Sequence, residues 1–179
     1  MLIGLSGYAR SGKDTVAELL CLNYGYKRVS FADPMRQALY VLSPKLDNIV
    51  RLSEYVDDYG WDVAKQNQEV RRLLQVFGTE VGRKMFGLDF WIDIALKDLS
   101  GDTQVVISDV RFPNEADAIA KLGGSVWRIN RKNHSAVNGH ASEHAMDNYM
   151  FSHFIYNDGT LDDLSDEVFM LAKHLGLDK

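Results

Sequence analysis

Three residues near the start of the chain carry the first chemical signal. Gly7, Gly12 and Lys13 stand at the spacing G-x-x-x-x-G-K within GLSGYARSGKDTVAELL. Backbone N–H groups at a helix N-terminus can wrap an anion, and glycines permit the close approach that this needs. A lysine at this place adds a flexible cation for the β- and γ-phosphates of a nucleotide. Ala9, Arg10 and Ser11 complete the loop. The residue after the lysine is ordinarily Ser or Thr, whose hydroxyl binds magnesium. Here Asp14 comes next, and Thr15 follows. A carboxylate is also a hard oxygen ligand, so Asp14 is a candidate for the metal, directly or through water. It could instead orient Lys13, or stabilise a helix N-terminus by about 0.3–1 kcal/mol. Thr15 is then placed for the α-phosphate. An ordinary strand–turn–helix junction competes with this reading. The flanking pattern of strand and helix is the context that anion binding requires, and it favours the phosphate loop.

A second acid and a set of arginines extend the signal. Asp109 ends the apolar run VVISD, and in phosphate-loop proteins an acid at such a strand end holds magnesium. A loop-capping Asp is the alternative. Arg36 in SFADPMR, Arg72 and Arg83 in RRLLQVFGTEVGRKMFGLDFW, and Arg111 in SDVRFPNEAD all fall near the expected C-terminal edge of a sheet. Ligands bind at that edge in open α/β folds. The planar fork of arginine suits phosphate, so these four could converge on an anionic acceptor. For Arg71, Arg72 and Arg83 a solvated helix face is the plainer reading. Arg111 is the hardest to explain that way, because it lies two residues beyond Asp109. Phe31, Phe77, Phe86 and Trp91 read mainly as core, with Phe77 or Trp91 stacking on a base as the alternative. His134, His140 and His144 read as solvated loop residues, not metal ligands.

Positioning these residues requires alternating strands and helices. Strands are expected at 2–6, 26–32, 103–109, 125–130 and 153–157. Helices are expected from Lys13 to about Asn23, through 34–42 with Asp33 as cap, from Pro113 until Gly123-Gly124, and from about Leu161 to Leu175. Residues 48–99 read as helical without a strand, broken near Gly60, Gly78 and Gly87. Ser142 and Glu143 are expected to cap a short helix. Alternation of this kind predicts a parallel sheet covered on both faces. The long helical stretch predicts a lobe beside it. Its exposed face would suit a homodimer, though the same amphipathic pattern would also suit a core.

Bulk properties agree. A chain of 179 residues suits one domain with a sizeable core. The net charge of −5 argues against a nucleic-acid partner but leaves room for a local basic pocket. A single cysteine, Cys21, excludes an internal disulfide and reads as a buried thiol. No basic leader and no bilayer-length apolar run are present, so no membrane role is expected. A reducing cytoplasm is the expected home.

The stretches GYARSGKDT, SFADPMR, LLQVFGTEVGR, VVISDVRFPNEA and YNDGTLDDL resemble, in order and over nearly the whole chain, the phage-type deoxynucleoside monophosphate kinases. Asp after the lysine recurs in that family. The resemblance implies an α/β phosphate-loop kinase fold of three layers, α/β/α, with a central parallel sheet of about five strands. It implies one domain over 1–179, with a helical monophosphate-binding insertion at about 43–100 and a lid-like loop at about 131–143. It implies ATP, Mg²⁺ and transfer to a deoxynucleoside 5′-monophosphate. By the same resemblance, Arg36, Arg72, Gln75, Glu80, Arg83 and Trp91 bind the acceptor, together with Asp109 and Arg111. Arg128 and Arg131 reach the phosphates, with Arg128 expected to face outward. Asn157 and Gly159 line the ATP base. A kinase of another small phosphorylated acceptor, such as phosphomevalonate, and a non-enzymatic nucleotide switch remain as alternatives at this point.

Overall fold

The computed structural model describes residues 1–97, 99, 103–132 and 144–177. In chain order the elements are β1 (Leu2–Ser6), α1 (Lys13–Tyr24), β2 (Lys27–Val29), α2 (Asp33–Leu42), β3 (Lys45–Leu46), β4 (Val50–Arg51), α3 (Leu52–Ala64), α4 (Gln68–Gln75), a π-helix (Val76–Phe86), α5 (Phe90–Leu96), β5 (Val105–Ile107), α6 (Pro113–Lys121), β6 (Ser125–Asn130), β7 (His153–Tyr156) and α7 (Leu161–His174). They fall into two compact units. One comprises Met1–Ser30 with Asp98–Lys179, the other Phe31–Lys97.

The first unit is built on a five-stranded sheet of order β2-β5-β1-β6-β7, every neighbour parallel. β1 and β5 are buried along their whole length, as only covered central strands are. Ile3 and Leu5 face a cluster with Val16, Leu20, Leu164 and Val168, which places α1 and α7 on one face. Gly4 alternates to the other face. A Cβ there would stand 2.5 Å from the Ile119 side chain of α6, so the glycine lets that helix lie close. The result is the expected three-layer α/β/α arrangement. Cys21 is half-buried against the first cluster instead of fully inside it. No helix among the described residues is long and apolar enough to cross a membrane.

The second unit has its own core of Leu39, Leu46, Leu52, Val56, Ala64 and Val70. Gly60 kinks α3 with φ 73° and ψ 162°, as its expected break requires. Several expectations are corrected. The 26–32 and 103–109 strands shorten to three residues each. Asp33 is not the cap: Ala32 is, and Asp33 opens the helix while pairing with Arg36 at 3.1 Å. The 48–99 stretch is not strandless, since β4 pairs antiparallel with β3. Asp47 and Asn48, the central turn residues, have φ of 47° and 59°, as in a type I′ turn. Gly78 does not break a helix. It lies within the π-helix, and Gly87 ends it. Ser142 and Glu143 lie outside the described residues.

Candidate active site

The buried β1 delivers the chain to the loop between Ser6 and Lys13. Gly7 has φ 156° and Gly12 φ 105°, and neither can carry a side chain. A Cβ on Gly7 would meet the Ile129 carbonyl at 2.5 Å, and one on Gly12 would meet Asn157 Nδ2 at 2.4 Å. Lys13 opens α1, and its ammonium donates to the carbonyls of Gly7 (2.7 Å) and Tyr8 (2.8 Å). The cation is thereby folded over the loop at the positive end of the α1 dipole. Asn157 Nδ2 donates to the Ser11 carbonyl at 2.9 Å. Asn157, expected at the adenine, braces the loop through this bond. Ser11 is buried, and its hydroxyl has no partner among the described residues. Arg131 Nη1 donates to the Arg10 carbonyl at 3.4 Å.

A small cleft opens beside this loop, lined by Gly7, Ala9, Lys13, Arg111 and Arg128 among others. Three cations from three separate segments therefore border one space. Arg111 is held by its backbone. Its N–H donates to Glu115 Oε2 at 2.7 Å, and the Phe112 N–H donates to the same oxygen at 3.0 Å. Glu115 is buried and was not singled out from the sequence. Its signal was legible: a Glu at the third position of a Pro-initiated helix reaches back to the N-terminal amides.

The two candidate metal acids are reached from the neighbouring strands. Asp109 Oδ2 accepts from Ser30 Oγ at 2.5 Å. The Asp14 side chain is 76% exposed and pairs with Arg28, whose Nε also donates to Ser108 Oγ at 3.1 Å. No cluster of three metal-ligating side chains exists among the described residues. For Mg²⁺, Asp14 and Asp109 would offer carboxylate oxygens, the hard ligands that this ion takes alongside water and phosphate oxygen.

Arg128 does not face outward. It pairs with Ser6 in the sheet and is 7% exposed. Its guanidinium lies 4.6 Å from the Tyr8 ring centre and 5.3 Å from that of Phe151, with Asp147 at 3.6 Å. Trp127 and Ile129 point into the α1–α7 core, so alternation sends Arg128 to the opposite, covered face. Asp147 also accepts from the Tyr8 hydroxyl at 2.7 Å and contacts His144 Nδ1 at 2.8 Å. The bonds from His144 and Tyr8 hold its carboxyl below the usual range, and Asp147 in turn raises the Tyr8 phenol. His144 therefore has a specific partner, while His134 and His140 lie outside the described residues, as does 133–143 of the expected lid.

Of the expected acceptor residues, Asp109 and Arg111 lie in the first unit, and Arg36, Arg72, Gln75, Glu80, Arg83 and Trp91 in the second. Arg72 forks onto Glu69 with bonds of 2.8 and 2.7 Å. Glu80 is bonded by Lys84 at 2.7 and 2.9 Å. Gln75 is exposed at the end of α4, and Arg83 is half-buried in the π-helix. Trp91 Nε1 donates to the Gly78 carbonyl at 2.9 Å, and its ring lies between Phe77 (5.7 Å) and Phe90 (4.8 Å). The ring also presses on Gly82, where a Cβ would stand 2.1 Å from Nε1. Gly159 sits before the α7 cap, where Thr160 and Asp163 bond reciprocally.

A family model described as deoxynucleotide monophosphate kinase matches residues 46–168. A protein of Acanthamoeba polyphaga mimivirus named for the same activity is 34% identical over 161 residues, covering 80% of each chain. The deoxynucleotide monophosphate kinase of Enterobacteria phage T4 is 24% identical, covering 93% of this chain and 96% of its own. The deoxynucleoside-5′-monophosphate kinase of Escherichia phage T5 is 26% identical over 66% and 71%. With more than half its length matched by the family model, and with a relative 34% identical over 80% of it, the chain belongs to the deoxynucleotide monophosphate kinase family.

Proposed function

We propose that the chain transfers the γ-phosphoryl group of ATP to the 5′-phosphate of a deoxynucleoside monophosphate, giving ADP and the deoxynucleoside diphosphate. The observation that carries this reading is the convergence of Lys13, Arg111 and Arg128 on one cleft at the N-terminus of α1. Family membership supports a kinase that uses ATP and a deoxynucleotide acceptor, and it disfavours the phosphomevalonate-type and switch alternatives.

The acceptor phosphate is itself the nucleophile, so no covalent enzyme intermediate is required. Catalysis then rests on positioning and charge neutralisation. Loop amides from Ala9 to Thr15 hold the phosphates. Lys13 exchanges a loop carbonyl for a phosphoryl oxygen, and Arg111 and Arg128 neutralise charge on the transferring group. Arg131, whose Nη1 donates to the Arg10 carbonyl, adds a further cation at the loop. Asp14 and Asp109 would hold Mg²⁺, which would supply positive charge against the nucleotide phosphates. Arg36, Arg72, Gln75, Glu80, Arg83 and Trp91 of the helical unit receive the monophosphate and its base.

The test is ADP release from ATP and Mg²⁺ with dTMP, dGMP, dCMP, dAMP and the matching ribonucleotides offered separately. Turnover that requires a deoxynucleotide is expected. ATP binding without acceptor-dependent turnover would return the switch reading.

A further inference from the structure

The segment after His144 carries none of the motif residues, yet it is bonded to the phosphate loop. Tyr8 is a member of that loop. Its carbonyl accepts from Lys13 Nζ (2.8 Å) and from the Ser11 amide (3.2 Å), so its backbone helps set where the lysine and the loop stand. Its side chain leaves the loop and donates to Asp147 Oδ1 at 2.7 Å. The same oxygen lies 3.6 Å from Arg128 Nη2. That separation is beyond hydrogen-bond reach, so Asp147 balances the buried charge without anchoring the guanidinium rigidly. The ring faces of Tyr8 and Phe151 hold the guanidinium instead. The second Asp147 oxygen is occupied by His144 at 2.8 Å, which fixes the plane of the carboxylate. Beside it, Met146 is buried and lines the cleft, seating the segment.

We propose that Asp147 is a positioning residue for phosphoryl transfer, tying the phosphate loop through Tyr8 to the cleft cation Arg128. A surface carboxylate of no consequence would not divide its oxygens between a loop tyrosine and a histidine while facing a buried arginine. The role requires no contact between Asp147 and substrate. It acts on the register of two groups that do meet the phosphates, and small displacements of such groups are costly in rate. This inference rests on the site proposed above.

The experiment measures kcat and KM for ATP and a deoxynucleotide in Asp147→Asn, Asp147→Glu, Tyr8→Phe and the Asp147→Asn/Tyr8→Phe double variant, well below each variant's Tm. Asp147→Asn keeps the shape and removes the charge. Its kcat is expected to fall on the order of 10- to 100-fold, with the acceptor KM within about threefold. Asp147→Glu restores part of kcat. Tyr8→Phe lowers kcat as well, and the double variant is no slower than Asp147→Asn, because both changes cut one link. A wild-type kcat in Asp147→Asn, or losses that multiply in the double variant, overturns the proposal. If Asp147→Asn does not fold, Tyr8→Phe decides alone, and an unchanged kcat there overturns it. Lys13→Ala separates the two levels. If Lys13→Ala is inactive while Asp147→Asn is normal, only this inference fails; if Lys13→Ala is active, the site itself is wrong.

Discussion

Most candidate charged residues are held differently in the two units, apart from Asp14, whose exposed carboxylate pairs with Arg28. Around the phosphate loop, the cations and their supports are tied by backbone groups and buried partners. Lys13 bonds two carbonyls, Arg111 is held by buried Glu115, and Arg128 lies between two rings. In the helical unit three candidate residues pair within about one turn, each pair with at least one member more than half exposed: Arg36 with Asp33, Arg72 with Glu69, Glu80 with Lys84. Exposed pairs of that kind contribute about 0–1 kcal/mol and exchange partners easily. On the proposed function, the difference separates a preorganised anion site from a surface that would re-pair its charges around an arriving acceptor.

The comparison is broken most directly by Lys13→Ala. It should lower kcat by roughly 10²–10³ or more, the scale of losing one preorganised electrostatic group, with Tm nearly unchanged. Near-normal turnover would place the phosphates elsewhere. Next, Gly82→Ala forces the Trp91 ring from its seat, where Nε1 would be 2.1 Å from the new carbon. A destabilisation of about 1–3 kcal/mol is expected, with a shift in tryptophan emission. An unchanged Tm would mean that the π-helix relaxes freely. A smaller effect distinguishes the partners of one surface pair. Arg72→Ala should raise the acceptor KM about tenfold, as loss of a charged hydrogen bond does, while Glu69→Gln should leave it within about twofold. Equal effects would make the pair structural.

The smallest effect is in pH. Burial, and the nearby His174, lower the His153 pKa below its ordinary 6.5. A lowered pKa favours the neutral form in the fold, so this group contributes stability above pH 6.5. The contribution is lost as pH falls from there through the folded value. Tm should therefore decline on acidification below about 6.5, and His153→Asn should flatten that decline. An identical profile in the variant would assign the acid sensitivity to other groups.

What the sequence made legible was local. Gly12-Lys13 must stand together for an anion to be wrapped, and Asp109-Val110-Arg111 must follow a strand, so one-dimensional spacing carried both. Arg128 was misread because alternation gives a face but not what covers it. In an all-parallel sheet both faces are covered, and the charge ended up inside. The Asn157 brace depends on the register of β6 with β7 and on where Ser11 turns, neither of which is written in spacing. The π winding of Val76–Phe86 accompanies the seating of Trp91 against Gly78 and Gly82, a tertiary fit that helical periodicity does not encode. The β3–β4 hairpin was readable in principle from Asp47-Asn48, but two-residue strands are too short to show alternation.

The folding of Lys13 onto the Gly7 and Tyr8 carbonyls has a consequence for selectivity. The loop supplies its own rival to the nucleotide, because any anion that claims the ammonium must outcompete two neutral oxygens already within 2.8 Å. A weakly charged anion gains little from that exchange. A polyphosphate, with several negative oxygens spread along the loop, recovers the lost bonds at more than one place. On the proposed function, Lys13 would thus act as a threshold, admitting ligands by how much charge they bring and not merely by whether they are charged.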